Sequence, residues 1–253
     1  MEIPLSVTII CKNEEKNIAT CLESVKWADE IIVVDAFSSD KTIDIVRKYT
    51  DKIFQNHWEG YTAQRKFALS KTSHQWVFSI DADEKCPEEL KSEILDAIRH
   101  SGEIVGYKIP RKSYFLGKWI KHCGWYPGYQ LRLFKKSEAE VTNRLVHEGY
   151  EVKGDIGYLK TAIEHYTVNS IADYMNRVNV YSTLQACEKL NRRKVRFGDL
   201  FLRPVSSFIR QFFIQRGFLD GVYGLMVTFF DVITNMLTYM KIWEMQNSSK
   251  KEL

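Results

Sequence analysis

Residues 77–86 read Val-Phe-Ser-Ile-Asp-Ala-Asp-Glu-Lys-Cys, a short apolar run followed at once by two carboxylates one residue apart. The run has the length and composition of a buried strand, and side chains two residues apart project to the same side of extended backbone. Asp81 and Asp83 therefore leave the strand together. An Asp-X-Asp at a strand exit is a place to hold a hard divalent cation such as Mg2+ or Mn2+. These ions take oxygen ligands, commonly one or two carboxylates with substrate phosphates supplying the rest. Short acidic triplets are also common in turns, so the weight of this one depends on its surroundings.

Working outward, the first hundred residues repeat one rhythm. Leu5 to Ile10 reads as a buried strand, and Glu14 to Val25 has helical spacing through Ile18, Leu22 and Val25. Glu30 to Val34 is again a strand, ending in Asp35. The spacing predicts further helices over Asp40–Tyr49, Gly60–Ser70 and from Pro87 through Ile98, with the strand Gln75–Ile80 between the last two. Strands alternating with helices argue an α/β fold: a mostly parallel central sheet with flanking helices. In such sheets ligands gather at the carboxyl ends of the strands, where both Asp35 and Asp81 lie.

Composition narrows the classes. At 253 residues the chain is long enough for a large core, and its 27% charged and 45% hydrophobic residues, with 5 prolines and 13 glycines, speak against disorder or collagen-like repeats. The five cysteines, Cys11, Cys21, Cys86, Cys123 and Cys187, form no CxxC pair, which suits neither a disulfide framework nor a zinc site. Reduced thiols and a cytoplasmic location are the expectation. The opening Met-Glu-Ile-Pro lacks the basic segment of a secretory leader.

Three stretches in order carry a resemblance: Ser6-Val7-Thr8-Ile9-Ile10-Cys11-Lys12-Asn13-Glu14, then Ile31-Ile32-Val33-Val34-Asp35-Ala36-Phe37-Ser38-Ser39-Asp40-Lys41-Thr42, then Asp81-Ala82-Asp83. Together they resemble glycosyltransferase family 2, whose members have the GT-A fold. Trp58-Glu59-Gly60-Tyr61, Val146-His147-Glu148 and Arg216-Gly217-Phe218-Leu219-Asp220-Gly221 resemble one branch, the bacterial enzymes that add glucose in β-1,4 linkage to a heptose of the lipopolysaccharide inner core. This implies an inverting hexosyltransferase using UDP-glucose and a divalent metal.

The resemblance also assigns tasks. Cys11 would offer main-chain contacts to the nucleotide, Asp35 would meet the nucleoside, and Arg65 would lie near the nucleotide. Many members carry a second acid after Asp35 that reads the uracil, and here that position is Ala36. Asp81 and Asp83 would bridge ribose and metal, with Asp83 the direct ligand, and His165 would be a third metal ligand through a neutral imidazole. Glu148 would take the proton from the attacking hydroxyl, with His147 orienting it or binding acceptor. The loop Gly124-Trp125-Tyr126-Pro127-Gly128-Tyr129 has the look of one that carries the donor sugar: aromatic faces for sugar C–H surfaces, glycines for close approach. Trp125 and Tyr126 fit a core equally well.

The last third changes character. The domain reading is a catalytic domain over 1–168, with a nucleotide-binding half to about residue 100 and an acceptor half over 101–168, then a helical, membrane-associating extension over 169–253. Ser170 to Asn191 reads as an amphipathic helix with Ser170 and Asp173 as its capping pair. Beyond it Arg192, Arg193, Lys194, Arg196, Arg203, Arg210 and Arg216 interleave with Phe197, Phe201, Phe208, Phe212 and Phe213. Arg196, Arg203 and Arg210 are seven apart, hence on one face of a continuous helix, although Pro204 is expected to kink or restart it. Basic and aromatic residues mixed in this way suit the anionic inner face of a membrane or a phosphate-bearing glycolipid acceptor, giving a peripheral protein. Nucleic acid is disfavoured, since no recognition-helix motif accompanies the charge. Val222 to Met240 is apolar, but Asp231 at its centre would cost ~2.5–3.5 kcal/mol in a bilayer, so a span is not expected.

Other classes make different demands. A nucleotidyltransferase would want a Gly-rich or basic signature after the first strand, which Cys11-Lys12-Asn13-Glu14 does not supply. A non-catalytic sugar-nucleotide binder on the membrane would have no use for Asp81, Asp83, Glu148 and His165 together. A transferase acting on another lipid-linked or surface glycan would share every one of these features.

Overall fold

The computed structural model describes residues 3–142, 149–168, 170–191 and 194–248, without the side chains of 167 and 168. In chain order the elements are β1 (Leu5–Cys11), α1 (Ile18–Val25), β2 (Glu30–Asp35), α2 (Thr42–Val46), β3 (Ile53–Gln55), α3 (Tyr61–Ser70), β4 (Trp76–Ser79), β5 (Glu84–Lys85), α4 (Glu88–Arg99), β6 (Ile104–Ile109) and β7 (Arg111–Phe115). There follow β8 (Lys118–Trp119), β9 (Gln130–Lys135), β10 (Ala139–Val141), β11 (Tyr150–Val152), β12 (Asp155–Tyr158), β13 (Ile163–Val168), α5 (Ile171–Lys189), α6 (Asp199–Phe208) and α7 (Gly221–Ser248). A π-helical turn, Ile209–Ile214, and a 3-10 turn, Gly217–Asp220, connect the last two helices. The contacts divide the chain into two compact units. One gathers the described residues within 1–112, 127–143 and 148–166, and the other those within 113–126 and 167–253.

The first unit is built on a seven-stranded sheet in the order β12-β6-β9-β4-β1-β2-β3. Four of its pairings are parallel, as the alternating sequence predicts, and β9 runs antiparallel to both β4 and β6. The parallel strands are buried on both faces, so they read as near-continuous apolar runs. Leu5, Val7, Ile9, Ile32, Val33, Phe78 and Ile80 are fully buried. Helix α4 shows why such sequences become helices. Leu90, Ile94 and Ile98 recur every fourth residue and are buried, Glu88 and Glu89 occupy the positive N-terminal end, and Arg99 the C-terminal end.

Helix α1 starts at Ile18, four residues later than the periodicity predicts. The main chain before it is engaged elsewhere. Glu14 N–H donates to Thr42 Oγ1 (2.8 Å) and Glu15 N–H to Asp40 Oδ2 (3.1 Å), so these residues tie the loop after β2 instead of opening a helix. The strands from β5 to β13, apart from their burial, had no alternation strong enough to be read from sequence.

The second unit is mostly helical, with the β7–β8 hairpin (Tyr114↔Trp119, Phe115↔Lys118) attached. Helix α7 packs along α5 and α6. Phe115, Ile120, Val178, Val227 and Phe230 form the inner cluster, with Tyr174 edge-on to Phe230 at 4.5 Å. Ser170 caps α5 as its sequence suggests, accepting from Asp173 N–H at 3.1 Å. Helix α6 runs through Pro204 without restarting. The ring is buried and the missing donor costs one backbone bond, and the helix changes to π-helical turns only at Ile209. Arg196 precedes the helix, its N–H donating to Asp199 Oδ2 (2.9 Å), and Arg203 pairs with Asp199 (3.1 Å), so the three arginines do not form one free stripe. Gly217–Ser248 is, among the described residues, the one stretch long and apolar enough by length and composition to cross a bilayer. Its Asp231 accepts a hydrogen bond from Ser207 Oγ (2.5 Å).

Candidate active site

The strand exit is assembled by ladder bonds. β1 and β4 pair in register up to Thr8↔Ser79, and Ile80 N–H still donates to Thr8 O (3.1 Å). Asp81 is the first residue beyond that ladder. A turn follows, with Glu84 N–H donating to Asp81 O (3.0 Å) and Glu84 Oε2 accepting from Asp81 N–H (2.9 Å). β5 then pairs antiparallel with β13, which sets His165 opposite Glu84 and lets Tyr166 N–H donate to Asp83 O (3.0 Å). The consequence is that residues 82 apart in sequence meet: His165 Nε2 lies 3.3 Å from Asp83 Oδ2, and both side chains are largely buried.

Asp81 has a different environment. Arg65 Nη2 donates to its Oδ1 at 2.8 Å and Arg132 Nη2 to its Oδ2 at 2.5 Å. Arg132 also reaches Glu84 Oε1 (3.0 Å), and Arg65 reaches Ser79 Oγ (3.3 Å). Burial works to raise the Asp81 carboxyl, but the two guanidinium charges, Arg132 first and Arg65 second, outweigh it and hold the group well below the usual carboxylate range. Asp81 is therefore an anion at any physiological pH. Arg65, on α3, is buried in this network and is no solvated helix charge.

Arg132 and Glu84 were missed by the sequence reading. A trace existed: Arg132 interrupts the otherwise apolar run Leu131-Arg132-Leu133-Phe134, and a charge inside a buried strand requires a buried partner. Its partner cannot be named from sequence, because β9 meets β4 only through antiparallel register, Phe78 facing Leu133.

Cys11 and Asp35 end β1 and β2 side by side. Both are buried, Cys11 O accepts from Ala36 N–H (2.9 Å), and burial together with the Asp35 charge pushes the Cys11 thiol up. The Asp35 carboxylate accepts from Ser38 N–H (3.0 Å), Ser38 Oγ (2.5 Å) and Gln55 Nε2 (3.3 Å). It is fully buried, so in this geometry it shapes the loop that follows it. That loop is stitched to the one after β1, where Asn13 N–H donates to Ser38 Oγ (2.8 Å) and Asn13 Oδ1 accepts from Ser39 N–H (2.8 Å). Phe37, held there at φ 56°, is exposed and stacks on His57 with ring centroids 4.5 Å apart.

Trp125 is half-buried against Phe115 in the second unit's core, and Tyr126 sits edge-on to Trp119 at 5.3 Å. Glu148, with His147, lies outside the described residues. Among the described residues no three His, Cys, Asp or Glu side chains converge as a closed metal cage. The donors at the strand exit, one carboxylate at Asp83 and one imidazole at His165, fit an Mn2+-like ion whose remaining positions are substrate and solvent oxygens.

Residues 6–166 match the sequence model of Glycosyl transferase family 2. The chain is similar to the lipopolysaccharide core biosynthesis glycosyltransferase LpsC of Rhizobium meliloti (strain 1021), with 30% identity over 96% of this chain and 93% of that protein. An uncharacterized glycosyltransferase of Rickettsia typhi is 31% identical over 97% of this chain and 89% of its own length. Among solved structures, S. aureus TarS 1–349 in complex with UDP-GlcNAc aligns over 98% of this chain and 92% of that one, with a TM-score of 0.50 and 16% identity, a likeness of fold. The alternating first hundred residues, the acids at the strand exit and these matches agree on a GT-A-like fold and a glycosyltransferase: the chain belongs to glycosyl transferase family 2.

Proposed function

We propose that the protein is an inverting, metal-dependent glycosyltransferase that moves glucose from UDP-glucose onto a heptose of a lipopolysaccharide or lipooligosaccharide core, working at the cytoplasmic face of the inner membrane. The observation that carries this reading is the Asp83–His165 contact of 3.3 Å beside an Asp81 clamped by Arg65 and Arg132. The acceptor class is supported by the likeness to LpsC, which extends over nearly the full length of both chains.

In this proposal each residue has one task. Asp83 and His165 hold the divalent ion, and Asp81, fixed as an anion by its two arginines, faces the ribose. The ion's contribution is to compensate the charge of the departing diphosphate. Cys11 and Asp35 form the floor of the nucleoside end, with Arg65 next to the nucleotide. Glu148 removes the proton from the acceptor hydroxyl as its oxygen bonds to the anomeric carbon. The bond from that carbon to the diphosphate oxygen breaks on the opposite face, and the electron pair leaves with UDP. The catalytic work lies within residues 1–168.

The helical extension, 169–253, is proposed as the membrane-facing part. Phe197, Leu202 and Ile214 are 78%, 72% and 72% exposed, far more than a soluble helix needs, and Lys194, Arg196, Arg210 and Arg216 are exposed among them. Apolar side chains that enter the headgroup boundary, with cations to meet anionic lipids, account for both.

A donor screen on truncated lipopolysaccharide, with and without Mn2+, tests the reading. Glucose addition from UDP-glucose that requires the metal is the expected result, and failure of every nucleotide sugar to add would overturn it. Glu148→Gln is expected to abolish transfer, and undiminished activity in that variant removes Glu148 from the base role.

A further inference from the structure

One sequence motif has no task in the proposed reaction: Arg216-Gly217-Phe218-Leu219-Asp220-Gly221. Within the second unit it is interlocked with the loop 121–124 after β8. His122 N–H donates to Asp220 Oδ2 (2.8 Å), and Cys123 N–H donates to Gln215 O (3.1 Å). Gly217 is packed so closely that an added Cβ would stand 2.7 Å from Cys123 Sγ and 2.9 Å from Gln211 O. Gly224 faces Gly217 O with no room for any side chain. Four residues here hold positive φ, Cys123 at 58°, Arg216 at 56°, Gly124 at 74° and Gly221 at 63°, and two of them are not glycine. A bulky residue keeps that conformation only where its surroundings over-determine it, and such places concentrate at ligand sites.

At the centre is a side-chain pair. His122 Nδ1 lies 3.1 Å from Asp220 Oδ1, with Asp220 5% exposed and His122 30% exposed. A carboxylate can only accept, so Nδ1 carries the proton and the lone pair of the neutral ring is on Nε2. No described residue hydrogen-bonds Nε2. An imidazole whose tautomer and orientation are fixed by a buried acid, with its other nitrogen turned to solvent, is an arrangement for meeting a substrate hydroxyl. The loop also carries aromatic surface: Trp119 is edge-on to Tyr126, and Lys121 Nζ sits 4.7 Å from the Trp119 ring centroid. Half-buried aromatic faces beside a directed polar group are the chemistry that recognises a sugar.

We propose that His122, held by Asp220, accepts a hydrogen bond from a hydroxyl of a hexosyl or heptosyl substrate, so that the interlocked loops form a carbohydrate-binding site in the second unit. Asp220 is the positioning residue and His122 the one that touches the sugar. This rests on the glycosyltransferase reaction proposed above. The sugar belongs either to the acceptor glycan or to the donor, and kinetics separates the two.

The decisive variant is His122→Asn. Its amide Nδ2 can replace Nδ1 in the bond to Asp220, and the backbone N–H to Asp220 remains, so the loop stays pinned while Nε2 is lost. Transfer of glucose from UDP-glucose to truncated lipopolysaccharide is measured with acceptor and donor varied in turn, beside UDP affinity by calorimetry and Tm. The expected result is a loss of at least about tenfold in kcat/KM, with UDP affinity and Tm unchanged. A raised KM for acceptor places the acceptor sugar at His122, and a raised KM for UDP-glucose places the donor sugar there. Asp220→Asn, which reverses the tautomer preference, is expected to reproduce the loss. Transfer within threefold of the wild type in His122→Asn overturns the inference, as does a loss matched by a fall in Tm. If the wild-type protein itself neither binds UDP nor transfers glucose, the proposed reaction fails, independently of His122.

Discussion

The strand exit of the first unit and the helical surface of the second treat the same two kinds of side chain in opposite ways. At the strand exit the charges are inside: Asp81, Glu84, Arg65 and Arg132 share a buried network in which each carboxylate has a guanidinium partner. On α6 and the turns that flank it the apolar groups are outside: Phe197, Phe201, Leu202, Phe213 and Ile214 are all more than half exposed. Both arrangements are costly in isolation, since ions resist burial and large apolar groups resist water. The buried charges are offset within the site by their own pairing, whereas no described residue of the second unit covers the exposed apolar groups. Departures from the rule of apolar inside and charged outside are where this molecule's function is to be sought.

The largest expected effect concerns chemistry at the strand exit. Asp83→Ala should lower kcat/KM for sugar transfer by roughly 10²–10³-fold, the scale of losing one charge-stabilising element, with the fold intact by circular dichroism. Activity near wild type would mean that the Asp83–His165 contact is only structural. Next, Arg132→Ala leaves Asp81 and Glu84 short of a partner in a buried site and should destabilise the protein by about 3–5 kcal/mol, seen as a Tm lower by about 10 °C. A shift of only a degree or two would show that the network is open to water and that the contrast between the two regions is overstated.

A buried charge far from the proposed chemistry sharpens the comparison. Glu30, at the start of β2, accepts from Ser73 N–H (2.8 Å) and Ser73 Oγ (2.7 Å) and also bonds Ser6 and Lys52. Burial raises its carboxyl, but Lys52, Ser6 and Ser73 outweigh that and bring it down to about 2. Because the folded value lies below the unfolded one, this stabilisation is present above about pH 4.5 and is lost as the pH falls toward 2. It amounts to roughly 3 kcal/mol. Glu30→Gln should flatten the acid limb of stability against pH in urea titrations between pH 5 and 2, and an unchanged limb would rule the residue out as its source.

The smallest effect on stability belongs to the exposed ridge. Replacing Phe201 and Leu202 by Ser should change folding stability by less than about 0.5 kcal/mol each, as expected for surface sites, yet weaken sedimentation with phosphatidylglycerol vesicles severalfold. Vesicle binding equal to the wild type would detach the ridge from the membrane reading.

Much of the first unit could be read directly from the chain. β1, β2 and β4 were found to within a residue because parallel strands buried on both faces are apolar throughout, and α4 because its buried residues recur at helical spacing. Helix α5 was found to within two residues, but Ile171, Met175 and Tyr181 of its expected apolar face are exposed and Val178, Ser182 and Ala186 are the buried ones. The later strands were not, since short antiparallel segments such as β5 and β8, two residues each, have no period to detect. The site divides similarly. Asp81 and Asp83 stood out as a local motif, whereas Arg132 carried only the weak mark of a charge in an apolar strand, and His122 carried none.

By itself the sequence determined the alternation of strands and helices, the acids at the carboxyl ends of the strands and the mixed basic and aromatic character of the last third. These depend on neighbours within a few residues, where backbone period and side-chain burial are coupled. Tertiary structure alone decided that Asp81 is claimed by two arginines and that Asp220 orients His122 across 98 residues, and it set the 3.3 Å contact between Asp83 and the His165 that the resemblance had named with it. Such pairs are set by strand register and by close packing at Gly217 and Gly224, and a contact that depends on where two distant segments meet leaves no periodic trace in either of them.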